Sequence, residues 1–260
     1  MRQRVSTVDT CAYSLACESN YNKRGIAMKR IVIADEIFDM FPQFYRAIVV
    51  VRDINNQKSN KRLRRLLKGE IDRQMTIDES QDPRILAWDE AHRRFGSDPE
   101  RYPPSITSLL RNMRPNQALP FINSAVALFN YISLKYVLPC GGDDFSVVEG
   151  NLVLGISDGT ELFVPLGSDI KETPIAGEVI YYDDATKNVM CRRWNWRNGE
   201  ITKIEVDSKN IVLNVDCLPP ITPETGDEAR DELADLLKQH CDAHVETSFL
   251  NSSTRELDLS

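Results

Sequence analysis

Apolar and polar positions divide the chain into a short β-rich start, a helical middle and a β-rich second half. Near the start, residues 29–34 and 45–51 are rich in isoleucine and valine, and the second run is almost continuously apolar. Such a run is typical of a strand that is covered on both of its faces. Between these strands, Asp35 is placed to cap a short helix that ends before Pro42.

In the middle of the chain the spacing of apolar residues becomes helical. Leu63, Leu67 and Ile71 recur on one side of a helix that is predicted over residues 60–75. Further helices are predicted over residues 83–95, 105–113, 121–137 and 223–240.

The second half of the chain predicts short strands joined by turns. Residues 151–155 and 161–164 predict one hairpin, and residues 177–182 and 188–192 predict another. A further strand is predicted over residues 209–217. Together with the helical middle, this order predicts an α+β fold in which helices and mixed sheet form layers, rather than a doubly wound fold.

No stretch rich in glycine, serine and proline interrupts the pattern, so residues 29–241 are expected to form one domain. Residues 1–28 are expected to be a flexible N-terminal extension, with Met28 as an alternative start. Residues 242–260 are expected to be a polar C-terminal tail.

The net charge of −7 argues against a general nucleic-acid binder. Residues 221–260, however, hold ten acidic and three basic residues, which account for the whole excess. The body of the chain is therefore neutral overall and can carry a basic surface. Six scattered cysteines and the lack of a long apolar run indicate reduced thiols, no membrane span and a cytoplasmic location.

The common signatures of nucleotide binding and hydrolase chemistry do not occur. There is no glycine-rich phosphate loop and no nucleophile elbow. His240, Cys241 and His244 form only half of a zinc site, and His92 is expected at the surface. We therefore expect neither a metal nor another cofactor, so that catalysis would use polar side chains, backbone amides and water.

Two blocks of sequence carry a family resemblance. Residues 119–131 read LPFINSAVALFNY, and residues 138–145 read LPCGGDDF. They resemble the B3/B4 domain, the tRNA-editing domain of the phenylalanyl-tRNA synthetase β chain. Residues 190–197, MCRRWNWR, are similar to a signature of free-standing members of that family.

The resemblance implies a layered α+β domain with a pocket for an amino acid attached to the 3′ end of tRNA. It also implies trans-acting, cofactor-free hydrolysis of mischarged aminoacyl-tRNA. Ala127 and Gly141 replace an aspartate and a histidine of the resembled domain, and Asn214 replaces a glutamate, with Asp216 on the same strand face. The departures at Ala127 and Gly141 favour an alternative, a non-catalytic module that binds tRNA or an amino acid, whereas the intact block RRWNWR at residues 192–197 favours the hydrolase. A third possibility is a pocket for an unrelated amino-acid derivative.

Candidate catalytic residues lie in the first block. They are Asn130, Gly141, Gly142 and Asp143. Glycine amides can approach an oxyanion closely, and Asp143, or alternatively Asp144, can orient water or a substrate ammonium group. The alternative is an ordinary turn that carries two surface aspartates.

Candidate pocket residues come from both blocks and from the late strand. They are Asn123, Trp194, Asn195, Trp196, Asn214 and Asp216. Strand spacing would place both tryptophans on one face, either to seal a core edge or to form a stacking surface. Asn123 and Asn130 share a helix face, so they line a pocket or brace a strand. Arg46 is expected to lie outside this cluster.

Basic residues predict where the tRNA backbone would bind. They are Lys61, Arg62, Arg64, Arg65 and Lys68 on one helix, together with Arg193 and Arg197. Their alternative role is a solvated helix face, which is what most charge runs are. The expected partner is thus tRNA, without DNA or membrane, and the oligomeric state is left open.

Overall fold

A computed structural model describes residues 29–259. The helices are Asp35–Met40 (α1), Lys61–Gln74 (α2), Pro83–Arg94 (α3), Ser105–Met113 (α4), Ser124–Tyr136 (α5) and Pro223–Cys241 (α6). The strands are Arg30–Ile33 (β1), Tyr45–Arg52 (β2), Cys140–Asp144 (β3), Leu152–Ile156 (β4), Val179–Asp183 (β5), Val189–Arg192 (β6), Arg197–Asn198 (β7), Ile211–Cys217 (β8), His244–Leu250 (β9) and Glu256–Asp258 (β10). No helix in this range is long and apolar enough to cross a membrane.

The strands form two sheets, and the predicted α+β fold class is confirmed. The larger sheet has the order β10-β1-β4-β5-β6-β7, and its β1–β4 pair is parallel while its other pairs are antiparallel. The smaller sheet has the order β3-β8-β2-β9 and is antiparallel throughout.

The smaller sheet has α2, α4, α5 and α6 on one face and the larger sheet on the other, while α1 packs on the larger-sheet side. From β2, Ala47 and Val49 join a core that includes Leu67 of α2 and Leu233 of α6. Val50, on the opposite face of the same strand, joins a second core with residues of the larger sheet. All of β2 except its last residue is buried, as expected of a strand covered on both faces.

The first predicted hairpin is wrong. β4 pairs with β5 rather than with residues 161–164, which form only isolated bridges. The reason is that Phe163 is buried against Ile180 and Val189, on the side chains of β5 and β6. The second predicted hairpin corresponds to β5 and β6, which pair with each other.

The expected C-terminal tail is also corrected. β9 pairs with β2 over seven residues, and β10 pairs with β1 in the other sheet. The polar composition arises because β9 is an edge strand with one side in water, while Phe249 stacks on Tyr45 at 5.5 Å between ring centroids. The extension predicted for residues 1–28 lies outside the described residues, and the domain boundary at 29 stays a prediction.

Candidate active site

A cavity of about 790 Å³ opens beside the smaller sheet. Its wall is formed by the start of α5, by β3 and the polar ends of β2 and β8, and by the segments at 194–199 and 203–206. This volume lies within the usual range of small-molecule sites. The cavity therefore brings together the two sequence blocks that predicted a pocket.

A buried ion pair lies in this wall. Arg46 on β2 is directly opposite Asp216 on β8, and its Nε and Nη2 donate to the two carboxylate oxygens at 2.7 and 2.9 Å. The Trp194 indole Nε1 also donates to Asp216, at 3.1 Å. Both members of the pair are almost wholly buried, so neither is a surface charge. Arg46 thus belongs to the cavity, contrary to the expectation that it lies outside.

Four polar atoms of residues in the cavity wall have no hydrogen-bond partner among the described residues. They are Arg46 Nη1, the Tyr181 hydroxyl, Asn195 Nδ2 and Asn214 Oδ1. An unsatisfied buried polar group costs about 1–3 kcal/mol. Native proteins seldom keep such groups unless water or a ligand completes them. The residues of the wall therefore include two unpartnered donor nitrogens, one unpartnered carbonyl acceptor and a hydroxyl that can donate or accept.

Asp143 on β3 is the second acid of the cavity wall. Its Oδ1 accepts a 2.5 Å hydrogen bond from the Thr202 hydroxyl. Burial raises the pKa of Asp143 to about 6, against the opposing effects of the Thr202 bond and of Arg46. Asp143 can therefore exchange a proton near neutral pH. Asp144 is not in the wall, and its carboxylate accepts from the backbone N–H of Ser146 instead.

The two glycines lie in a strand rather than in the expected turn, and their roles differ. Along an antiparallel ladder, hydrogen-bonded pairs of residues alternate with pairs that are not hydrogen-bonded. Pro139 and Asp216 are a hydrogen-bonded pair, because the Asp216 N–H donates to the Pro139 carbonyl. Two residues further along β3, the Gly141 amide therefore bonds to β8, while the Gly142 amide points away from it. Since β3 is an edge strand, only Gly142 keeps a free amide for a ligand.

Space around the glycines also separates them. A Cβ added to Gly142 would lie 2.2 Å from the Val212 carbonyl oxygen, which is too close for any side chain. A Cβ added to Gly141 would meet nothing within 4 Å. Gly142 is therefore required by strand pairing, whereas Gly141 leaves room in the cavity.

The two tryptophans do not share a face, because residues 193–196 form turns instead of a strand. Arg193 and Trp194 have left-handed backbones with φ of 47° and 65°. Trp194 is consequently buried, edge-on to Phe44 and Trp88. Trp196 lies in the cavity wall, partly exposed. The first tryptophan seals the core and the second faces the site, so each alternative applies to one of them.

The two asparagines of the α5 region have different surroundings. Asn123 is the N-cap of α5, accepting from the Val126 N–H at 2.9 Å, and its Nδ2 donates to the Ile204 carbonyl at 2.8 Å. The polar atoms of the Asn123 side chain thus hold the start of α5 and the segment at Ile204 in place. Asn130 is half-buried in the cavity wall. Ala127, one of the departures from the resembled domain, lies in the helical core and not in this wall.

The predicted basic surface on α2 is exposed, and one of its residues contacts the segment next to the cavity. Lys61, Arg62, Arg64, Arg65 and Lys68 are all exposed. The Arg64 guanidinium lies 4.4 Å from the centroid of the Phe121 ring, and the next residue, Ile122, lines the cavity. Lys68 pairs with Asp72 within the helix.

The two arginines of the second block occupy different environments. Arg197 is exposed in the cavity wall. Arg193 is buried, 3.7 Å from a carboxylate oxygen of Glu178 and 3.8 Å from the centroid of the Tyr102 ring. Arg193 is therefore a structural cation and is removed from the expected tRNA surface.

Four participants were missed by the sequence interpretation: Arg46, Tyr181, Thr202 and His92. His92, expected at the surface, is fully buried and lies 3.2 Å from Asn195 in the cavity wall. The available signal was Arg46, a charge inside an otherwise apolar strand. Residues 29–259 contain no cluster of three His, Cys, Asp or Glu side chains suited to a metal ion.

Comparisons with known proteins found one family model and similar solved structures. The model of the family described as the B3/4 domain matches residues 87–242, more than half of the chain. No match was found among curated proteins. The N-terminal fragment of the phenylalanyl-tRNA synthetase β-subunit from Pyrococcus horikoshii is similar in structure, at 12% identity over 88% of this chain with a TM-score of 0.45. The chain spans about half of that fragment, 54%.

Proposed function

Because the chain belongs to the B3/4 domain family, we propose that it hydrolyses the ester bond of mischarged aminoacyl-tRNA, in trans and without a cofactor. The observation that carries this proposal is that two groups line the same cavity: buried Arg46, whose Nη1 has no partner among the described residues, and Asp143, whose pKa is raised to about 6. An activated ester needs little more than a positioned water and a donor for the oxyanion.

In the proposed reaction, ionised Asp143 orients a water molecule and accepts its proton as the water oxygen attacks the ester carbonyl carbon. The carbonyl oxygen gains negative charge, which Arg46 Nη1 and the Gly142 amide stabilise by hydrogen bonding. The tetrahedral intermediate then collapses, and the 3′ oxygen of the ribose leaves with the proton from Asp143. The products are a free amino acid and a tRNA with a free 3′-hydroxyl group.

Other polar groups of the wall hold the amino acid. Asn214 Oδ1 is an unpartnered acceptor for its polar groups, the Tyr181 hydroxyl lies near the Asn214 side chain, and Asn130 belongs to the same wall. Among the buried side chains of the wall, Arg46 is already neutralised by Asp216, so ionised Asp143 adds a negative charge that no buried cation balances. That charge favours the α-ammonium group of an aminoacyl substrate.

The exposed cations of α2 and Arg197 would hold the tRNA backbone at the cavity mouth, since phosphate contacts position a nucleic acid without reading its sequence. A single RNA could then reach both the helix face and the cavity. A cytoplasmic location belongs to this proposal, because that is where charged tRNA is used.

The alternative function is a non-catalytic module that binds aminoacyl-tRNA or an amino acid. The observation that favours it is Gly141, where the resembled domain has a histidine and this cavity has open space. The replacement at Ala127 carries no weight either way, because that residue lies in the helical core.

The test is a deacylation screen over correctly charged and mischarged tRNAs, in the presence of a strong chelator. We expect hydrolysis by the parent protein, its loss in Asp143→Asn, and its retention in the matched neighbour Asp144→Asn. Hydrolysis that needs added metal would contradict the cofactor-free mechanism. Binding without hydrolysis would favour the alternative function. If the parent protein neither bound nor hydrolysed aminoacyl-tRNA, both proposed functions would be refuted.

A further inference from the structure

His92 and Asn195 form a buried contact behind the cavity wall. Asn195 Oδ1 lies 3.2 Å from His92 Nε2 on α3 and 3.4 Å from the backbone nitrogen of Ser105 on α4. The same carboxamide has a buried Nδ2 with no partner among the described residues. Asn195 lines the cavity, whereas His92 does not.

The backbone of Ser105 fixes the orientation of this carboxamide. A backbone N–H can only donate, so the Asn195 atom beside it must be the oxygen. His92 then donates from Nε2 to the same oxygen, because an amide oxygen only accepts. Burial lowers the pKa of His92 to about 4, so the ring stays neutral at physiological pH and has a single N–H. The Tyr102 backbone also lies near the ring, and the tautomer that holds Asn195 is the one with its proton on Nε2. With the oxygen held by α3 and α4, Nδ2 is the atom of the carboxamide that stays without a partner among the described residues.

The local backbone is strained in a way that serves this placement. Arg193 and Trp194, immediately before Asn195, both have left-handed backbones. Such conformations cost of order 1–3 kcal/mol for bulky residues and persist where the surroundings impose them. Here the burial of Trp194 and its bond to Asp216 impose them, and Asn195 is delivered to the cavity as a result.

We propose that Asn195 Nδ2 binds an oxygen atom of the aminoacyl ester, and that His92 is a positioning residue that holds the carboxamide in the binding orientation. This inference rests on the proposed function, because it takes the ester as the occupant of the cavity. It adds a second side-chain donor to Arg46 and gives buried His92 a role through Asn195 alone.

The experiment is a double-mutant cycle on kcat/KM for the best aminoacyl-tRNA of the screen, with His92→Leu, Asn195→Ala and the double variant. Asn195→Ala removes the proposed donor to the ester, and His92→Leu removes the contact that orients it. Each single variant should lower kcat/KM about tenfold, as expected for the loss of one buried hydrogen bond. His92→Leu should have no further effect in the Asn195→Ala background, since it acts only through that side chain. His92→Gln, whose amide can still donate to Asn195, should restore most of the loss.

A purely structural role for His92 predicts the opposite pattern. The His92→Leu loss would then be the same in both backgrounds, would follow thermal stability and would not be rescued by glutamine, and this result would overturn the inference while leaving the hydrolase intact. The same cycle is measured on Kd for 3′-aminoacylamino-3′-deoxyadenosines, in which an amide replaces the ester. Coupling in Kd without hydrolysis by the parent would refute the hydrolase but keep the inference. A parent protein that binds neither substrate nor amide analogue refutes both.

Discussion

The two faces of the smaller sheet are built from the same strands but differ in chemistry. Towards the helices, β8 presents Leu213, Val215 and Cys217, all within one apolar core. Towards the larger sheet, the same strand begins with apolar Val212 and then presents Asn214 and Asp216. One face is therefore apolar along its whole length, and the other becomes polar at the end that borders the cavity.

This difference separates stability from function. The helix-facing side needs only complementary packing, which apolar residues supply without leaving polar atoms unsatisfied. On the other side, Arg46 and Asp216 satisfy each other only in part, since Arg46 Nη1 keeps no partner among the described residues. A buried ion pair is seldom a net gain over apolar packing, so its presence indicates a use other than stability.

The largest expected effect comes from breaking the buried pair. Asp216→Ala should lower the free energy of unfolding by about 3–5 kcal/mol, because it leaves Arg46 charged and unpaired in the interior. The double variant Arg46→Met with Asp216→Leu should recover most of that loss and still lack deacylation. Urea unfolding checks both variants. A loss below about 1 kcal/mol in Asp216→Ala would mean that water solvates Arg46 and that the polar face is not sealed.

Adjacent glycines of β3 sharpen the comparison at the sheet edge. Gly142→Ala forces a Cβ against the Val212 carbonyl and should cost about 1–3 kcal/mol or more. Gly141→Ala should leave the melting temperature within a few degrees, since its Cβ meets no atom within 4 Å. Gly141→Val should fold but bind aminoacyl-tRNA less tightly, because the larger side chain enters the cavity. Equal melting temperatures for the two alanine variants would contradict the register assigned to β3.

The third prediction concerns pH. The hydrolytic rate should fall about tenfold for each pH unit below about 6, because Asp143 must be ionised to take a proton. Burial favours the protonated form in the folded chain, so Asp143 should make stability decrease as pH rises from about 4 to about 6 and no further above that. Asp143→Asn, in which hydrolysis is expected to be lost, should also lack this dependence of stability on pH. A rate profile in the parent without a step near pH 6 would exclude Asp143 as the proton acceptor.

The smallest effect on the protein itself is expected from the outer surface of the helix layer. Arg64→Glu with Arg65→Glu should leave folding unchanged, weaken tRNA binding and reduce the slope of log affinity against log salt by about two. Lys238→Glu, at an exposed position of α6, is the control and should change neither the affinity for tRNA nor its dependence on salt. Unchanged affinity in the double variant would identify the α2 face as merely solvated, with RNA held near Arg197 instead.

Several elements were predictable because local signals dominate them. The helices at Lys61–Gln74 and Ser105–Met113 follow from apolar periodicity and agree with the predicted bounds within two residues. The buried strand β2 follows from its continuous apolar run. The family resemblance also led us to expect a pocket between residues 119–145 and residues 190–197; residues from both blocks line one cavity, and its use as a substrate pocket stays a prediction.

Predictions failed where distant residues decide the local conformation. The spacing of Trp194 and Trp196 indicated a strand, but burial of one indole among Phe41, Phe44 and Trp88 imposes a tight turn. A polar C-terminal sequence indicated a tail, but β9 pairs with β2 and satisfies backbone groups that would otherwise be unpaired at the edge of the smaller sheet. In both places tertiary contacts outweigh a weak local preference.

The sequence by itself determined the α+β class, the helices with strong periodicity and the positions where polar residues interrupt apolar blocks, since these depend on neighbours along the chain. Only the tertiary structure decided that Arg46 meets Asp216, 170 positions away, and that Gly142 rather than Gly141 keeps a free amide. It also decided that His92 supports Asn195 from behind the cavity wall. The physical reason is that strand register and helix packing place side chains from distant segments within hydrogen-bond distance, and local sequence preference contains no information on that register.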